Sequence, residues 1–187
     1  TGTLRSDGAL TGNNGVQIDT GSTLTVGNGG TTGTLDADTT VNGTLAFNRS
    51  NDATFGGAIK GTGAFTKYGA GKLVYDGDGS LFQGSTSVLG GSLVVGGTAG
   101  STARLGGGVA VASCASLGGH GSIGGSVTMA TGSTLSPGNS VGTLTVDGDF
   151  AMAQGTVFDA EFGASGAGDK VIVGGNLALN GVTLNVA

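Results

Sequence analysis

Apolar and polar residues alternate along this chain in short bursts, and each burst ends at glycine or another small residue. The bursts include STLTV (22–26), TGTL (32–35), GTLAF (43–47), ATF (53–55), GAFT (63–66), KLVY (72–75), SLVV (92–95), SVTM (126–129), GTLTV (142–146), KVIV (170–173) and VTLNV (182–186). A period of two is the mark of a strand with one buried face. No segment keeps the apolar spacing of an amphipathic helix through three turns, so the chain reads as all-β.

Two architectures accept many short strands. In an antiparallel sandwich, longer strands would be joined by Asn-Gly or Asp-Gly turns. Such pairs occur at Asn42-Gly43, Asp76-Gly77, Asp78-Gly79 and Asn180-Gly181, so this alternative stays open. Strands this short make a poor open sheet. A β-solenoid solves the problem, because each strand pairs with its equivalents above and below. Glycine suits the corners because it accepts positive φ. A three-faced coil of about 20 residues predicts about nine rungs. At roughly 4.8 Å per rung the rod would be roughly 40–45 Å long. The inward positions would be Leu24, Leu35, Leu45, Phe55, Phe65, Leu73, Leu93, Val111, Val127, Leu135 and Leu144. A solenoid end exposes a raw sheet edge, so a cap is expected at one end at least.

Composition supports a folded β-chain. Glycine supplies 43 of 187 residues without a collagen period, but 37% of residues are hydrophobic and the net charge is only −5. Disordered chains show the opposite balance. A single Glu161 stands against eleven aspartates, and Pro137 is the one proline. The seven Lys and Arg residues are scattered singly, which excludes a phosphate-binding patch and speaks against nucleic acid. Cys114 sits among small residues and reads as a small buried apolar side chain. The chain opens on what looks like mid-repeat and stops inside a strand, so a piece of a longer protein is expected.

Motifs with chemical meaning are present but lack their contexts. Gly138-Asn139-Ser140-Val141-Gly142 matches G-x-S-x-G, but a strand-like run follows where a hydrolase needs a helix. His120, the one histidine, lies upstream of it. Gly119 to Gly124 matches G-x-G-x-x-G without a following helix or acid, and reads as a turn. One histidine without a cysteine or acid cluster makes no zinc site. Asp76-Gly77-Asp78-Gly79-Ser80 begins like a calcium loop, but Leu81 and Ser87 stand where the glycine and glutamate belong. Asp147 and Asp149 read as turn residues too. Asp36 and Asp38, with Arg49 and Asp52 beyond, are the nearest match to the face of a β-helical carbohydrate enzyme. No catalysis, cofactor or metal is expected.

The stretch 43–97 contains GTGAFTKYGAGKLVYDG followed by GSTSVLGGSLVVGG. It resembles the passenger-associated repeat of bacterial autotransporters, which runs G-x-G-x-L-x-K-x-G-x-G-x-L-x-L-x-G and then G-x-T-x-V-x-x-G-x-L-x-V. Tyr68 and the pair Phe82-Gln83 depart modestly from it. LSPGNSVGTLTV, from Leu135, is similar to the S-P-G-N-S-x-G-T-L-x-V motif that opens the autochaperone or junction region.

The resemblance implies a right-handed parallel β-helix. Residues 1–134 would be stalk rungs, and 135–187 the autochaperone and cap. It implies export to the surface of a Gram-negative bacterium, attached to the outer membrane through a C-terminal β-barrel outside this chain. The C-terminal segment would fold first and template the rest. Leu144, Val146, Phe150, Phe158 and Phe162 are its core candidates, and their aromatic density predicts the most stable end of the rod. The expected role is a non-catalytic stalk and folding nucleus of an adhesin for host cells or matrix. Partners would be a host-cell surface, matrix protein or glycan. The alternatives are self-association and, less favoured, a carbohydrate-active enzyme. An exposed aromatic stripe would favour adhesion, and Tyr68 and Tyr75 are the only tyrosines that could start one.

Overall fold

The computed structural model describes residues 1–12, 14–163 and 166–186. Among these every helix or strand is a strand, and every strand–strand pairing is parallel. The first face of the coil is one nine-stranded sheet. Its strands are Gly2–Ser6, Ser22–Val26, Thr44–Asn48, Ala64–Tyr68, Ser85–Val88, Gly108–Val111, Val127–Met129, Phe150–Met152 and Leu177–Leu179. The second face carries a seven-stranded sheet from Ala53–Phe55 to Thr183–Val186, preceded by the pair Ala9–Thr11 and Thr34–Asp36. The chain is therefore a β-solenoid with nine strands along its longest face and about seven turns closed by the second large sheet.

Register explains why the bursts alternate as they do. On the first face Leu4, Leu24, Leu45, Phe65, Thr86, Val109, Val127, Phe150 and Leu177 stack in one column. Two residues on, Val26, Phe47, Lys67, Val88, Val111, Met129 and Met152 form a second column. Both columns point inward, since side chains two apart share a face. All of the inward positions expected from the sequence are buried. Coil length is not fixed: Leu4 to Leu24 is 20 residues, whereas Phe150 to Leu177 is 27.

The glycine load has a specific cause at the corner that leads into the first face. Gly43, Gly63, Gly84 and Gly107 stack there. A Cβ on Gly63 would lie 2.1 Å from the Gly43 carbonyl oxygen, one on Gly84 1.9 Å from that of Gly63, and one on Gly107 1.7 Å from that of Gly84. Backbone packs directly on backbone, and no side chain fits between.

The aromatic core lies elsewhere than the sequence suggests. Phe47, Phe55, Phe65 and Tyr75 pack together in the third and fourth rungs, with ring centroids 5.3–6.1 Å apart. Of the C-terminal candidates, Leu144, Val146 and Phe150 are buried, but Phe158 is half-buried and Phe162 is 62% exposed. Phe162 lies past the end of the strand Val157–Ala160, in the connection to Lys170–Val173, where no inward position is available to it. Cys114 is likewise exposed, not buried. It occupies a corner at φ 61°, between Gly108–Val111 and Ser116–Gly119, which turns it off the inward period.

Candidate functional site

The third face divides the pairing of a single rung between two sheets. Its first part is a four-stranded sheet of Val16–Ile18, Thr39–Val41, Ile59–Gly61 and Leu81–Phe82. Its second part is a five-stranded sheet that starts at Asp78–Gly79 and continues through Arg104–Leu105. Both parts draw on one stretch of the fourth rung. Leu81 and Phe82 pair back to Lys60 and Gly61, while Asp78 and Gly79 pair forward to Arg104 and Leu105. Ser80 is the kink between them, and its N–H donates to Asp78 Oδ1 at 2.9 Å. The bonds that Ser80 donates hold the Asp78 carboxyl below its ordinary range.

A groove of about 850 Å³ runs along this broken face, lined by residues of the first four rungs. That volume is ordinary for a ligand cleft. Gln17, Asp36, Asp38, Lys60, Asp78 and Leu81 present exposed side chains there. Asp38 Oδ1 accepts from the Ala58 N–H at 2.9 Å, which fixes its rotamer. Leu81 is 71% exposed. Beneath the floor lies the Tyr75 hydroxyl. Tyr75 is fully buried, and its oxygen lies beside the Ile59 backbone without a hydrogen bond of good geometry. It stands 3.0 Å from where a Cβ on Gly79 would be. Burial pushes the Tyr75 phenol up and outweighs the opposing pull of the Ile59 backbone, while the Asp78 and Asp38 charges add to the rise.

Two cations are spent on the frame. Lys67 points inward, and its Nζ donates to the carbonyls of Tyr68, of Gly69 at 2.9 Å and of Gly90 at 3.0 Å. Burial lowers its pKa to about 8. Arg49 donates to the carbonyls of Gly33 and Thr31 and to Asn51 Oδ1. The sequence already held this signal for Lys67: Phe65, two residues before it, faces inward, so period two turns Lys67 inward too.

These facts dispose the other sequence candidates. Asp36 and Asp38 line the groove, but Arg49 is buried against carbonyls and Asp52 faces Lys72 at 3.6 Å, so the four do not converge. Asp76 Oδ1 accepts from Ser101 Oγ at 2.9 Å. Asp147 pairs with Arg104 at 2.6 Å, and Asp149 Oδ1 accepts from the Asn176 N–H at 2.7 Å. His120 does come to the Ser140 loop, but its Nε2 accepts the Asn139 N–H at 3.2 Å. The strand Thr143–Val146 follows Ser140 instead of a helix. The run from Gly119 leads through the short strand Ser122–Ile123, as a turn motif should. Among the described residues no group of three metal-ligating side chains converges. Tyr68 is exposed and Tyr75 buried, so the tyrosines make no common stripe.

The likenesses to known proteins agree with the architecture. The chain is 33% identical over 129 residues to "Extracellular serine protease" of Serratia marcescens, covering 69% of this chain and 12% of that protein. It is 46% identical over 48 residues to "Adhesin BmaC autotransporter" of Brucella suis, covering 26% of this chain and 1% of the adhesin. It is 34% identical over 99 residues to "Uncharacterized lipoprotein YdeK" of Escherichia coli, covering 50% and 7%. The chain thus spans only a small part of the length of these relatives. No family model matches it, and no solved structure does. A parallel β-solenoid with these relatives fits a passenger region of an autotransporter, on a secreted or cell-surface protein.

Proposed function

We propose that this chain is the stalk of an adhesive passenger, without catalysis of its own, held at the outer membrane by a β-barrel elsewhere in its protein. The observation that carries this reading is the uninterrupted nine-stranded face, which makes a rod able to hold a distal region away from the membrane. The likeness to an autotransporter adhesin supports the adhesive part. The commitment of Arg49 and Lys67 to backbone carbonyls supports the non-catalytic part. Residues 135–187 would act as folding nucleus, supported by the burial of Leu144, Val146 and Phe150.

The purified chain, titrated onto host cells and immobilised matrix proteins, should bind saturably and block attachment of bacteria carrying the whole protein. A folded chain that binds nothing would remove adhesion and leave a stalk. A chain cut to residues 1–134 should regain β-structure from urea far more slowly than the intact one. Equal rates would remove the folding role.

A second reading has its own support. Beyond Arg5, the outward column of the first face runs Thr25, Ala46, Thr66, Ser87, Ala110, Thr128 and Ala151, all small, with Ala46 and Thr66 already shielded. Such a face can lie flat against a copy of itself. Sedimentation over a wide concentration range tests it: a monomer throughout would exclude self-association.

A further inference from the structure

We infer that the loop 138–142 is a clasp over the second face, closed at neutral pH and released when His120 is protonated. The inference goes beyond the adhesive reading and stands without it.

The loop leaves the strand Thr134–Pro137 and turns back over earlier rungs. Its turn is tight. Gly119 and Gly138 each donate an N–H to the other's carbonyl at 2.8 Å, and a Cβ on Gly138 would lie 1.8 Å from the Ser140 carbonyl oxygen. Asn139 then touches three other rungs. Its N–H donates to His120 Nε2 at 3.2 Å, its Nδ2 donates to the Gly97 carbonyl at 3.3 Å, and its Oδ1 accepts from Lys72 Nζ at 3.3 Å. Lys72, Ser92, Ser116 and Thr134 stand in register. The reach from the loop's own strand back to Lys72 is therefore three rung steps, roughly 14 Å. Elsewhere in a solenoid each rung holds only its immediate neighbours.

The clasp covers apolar surface. Leu93 and Val95 point into the core, so Val94 between them points outward. It is nonetheless only 4% exposed, and it shares a cavity of about 310 Å³ with Asn139 and Ser140.

His120 is the contact that can be switched. Its ring is seated against the loop at both ends, with Nε2 on the Asn139 N–H and Nδ1 where a Cβ on Gly142 would come within 2.2 Å. Glycine at 142 leaves room for the ring. An imidazole accepts only when neutral, whereas the imidazolium is a donor at both nitrogens. Protonation sets a second N–H against that of Asn139, and the two donors repel. The closed loop needs the neutral ring, so falling pH favours the open one. Histidine is the side chain that ordinarily changes charge between about pH 5 and 8.

The other charged groups around the loop belong to classes that hold their charge in that window. Lys72 faces Asn139 and pairs with Asp52 at 3.6 Å. Asp76 Oδ1 accepts from the Gly97 N–H at 3.3 Å, and Asp169 Oδ1 from the Gly142 N–H at 2.8 Å. Asp159 and Glu161 line the cavity. Carboxylates and ammonium groups ordinarily stay ionised from about pH 5 to 8. Asp169 thus anchors the far end of the loop, and Asn139 is the end that swings, baring Val94.

The test is amide hydrogen exchange on the whole 187-residue chain, read by NMR as protection factors, with strand amides of the first face as reference. Protection of the Asn139 N–H should fall about tenfold or more between about pH 7.5 and about pH 5 while the reference holds. His120→Gln supplies an oxygen that accepts at either pH, so the fall should vanish. Gly142→Ala drives the ring from its seat and should lower Asn139 protection already at the higher pH, with unchanged circular dichroism. Protection of Asn139 that ignores pH in the natural chain would overturn the inference, as would full protection in Gly142→Ala. An equal fall in His120→Gln would assign the change to Asp169 or another carboxylate and overturn it too. A fall shared by the reference strands would mean acid unfolding of the rod in place of a clasp.

Discussion

Lys67 stands in register between Phe47 on one rung and Val88 on the next, an ammonium-bearing side chain in a column of apolar ones. Its stem fills the column and its Nζ crosses to the Gly90 carbonyl, 3.0 Å away on the following rung. The lysine therefore ties one corner to the next.

The tie has a pH signature. Burial lowers the Lys67 pKa from 10.5 to about 8 in the folded chain. Between about pH 8 and 10 the unfolded chain then holds more protons here than the folded one, so stability from this group rises with pH. Below pH 8 both states are protonated and the full burial penalty applies. Urea denaturation at pH 7 and pH 9.5 should show this rise in the natural chain and a flat response in Lys67→Met. Parallel behaviour of the two would refute it.

Thr86 interrupts the other inward column, between Phe65 and Val109. Its buried Oγ1 has no partner. Thr86→Val keeps the shape and removes the unpaired hydroxyl, so it should stabilise the chain by about 1 kcal/mol. A lower urea midpoint would count against an unpaired oxygen there.

Glycine is required at the stacked corner, but not at every position where it occurs. Gly84→Ala places a methyl group 1.9 Å from the Gly63 oxygen. The backbone must shift, at a cost of about 1–3 kcal/mol or more. Gly56 has open space around its missing Cβ, so Gly56→Ala should change stability by less than about 0.5 kcal/mol. Equal effects at the two positions would show that the corner gives way.

The aromatic cluster predicts where the rod is strongest. Phe55→Ala should cost about 3–5 kcal/mol. Phe162→Ala, at an exposed position, should stay within about 0.5 kcal/mol. The reverse order in thermal melts would return the stability to the C-terminal segment.

Much of this architecture was legible in the sequence. Leu-x-Val and Leu-x-Phe bursts mark inward positions because strand geometry leaves them no other face, and every inward position read that way is buried. Corner positions were harder. Cys114 lies off the period of two, and Phe162, though in phase with Phe158 and Ala160, lies past the end of its strand, so neither reaches the interior. The groove was half legible: Asp36 and Asp38 stood out as a carboxylate pair, but nothing local shows that Tyr75 and Gly79 meet beneath them. That meeting depends on how consecutive coils align, and coil length varies from rung to rung. DGDGS read as a turn, as its residue types demand, yet it also divides the pairing of one rung between two sheets.

That division has a mechanical consequence. The first face is bonded without interruption from end to end, whereas the third is severed at the fourth rung. Such a rod resembles a ruler scored across one surface. Under a sideways load it flexes at the score, opening or pinching the cleft there, while the opposite side acts as the hinge. A sideways load on the rod would therefore bend the third face at Ser80.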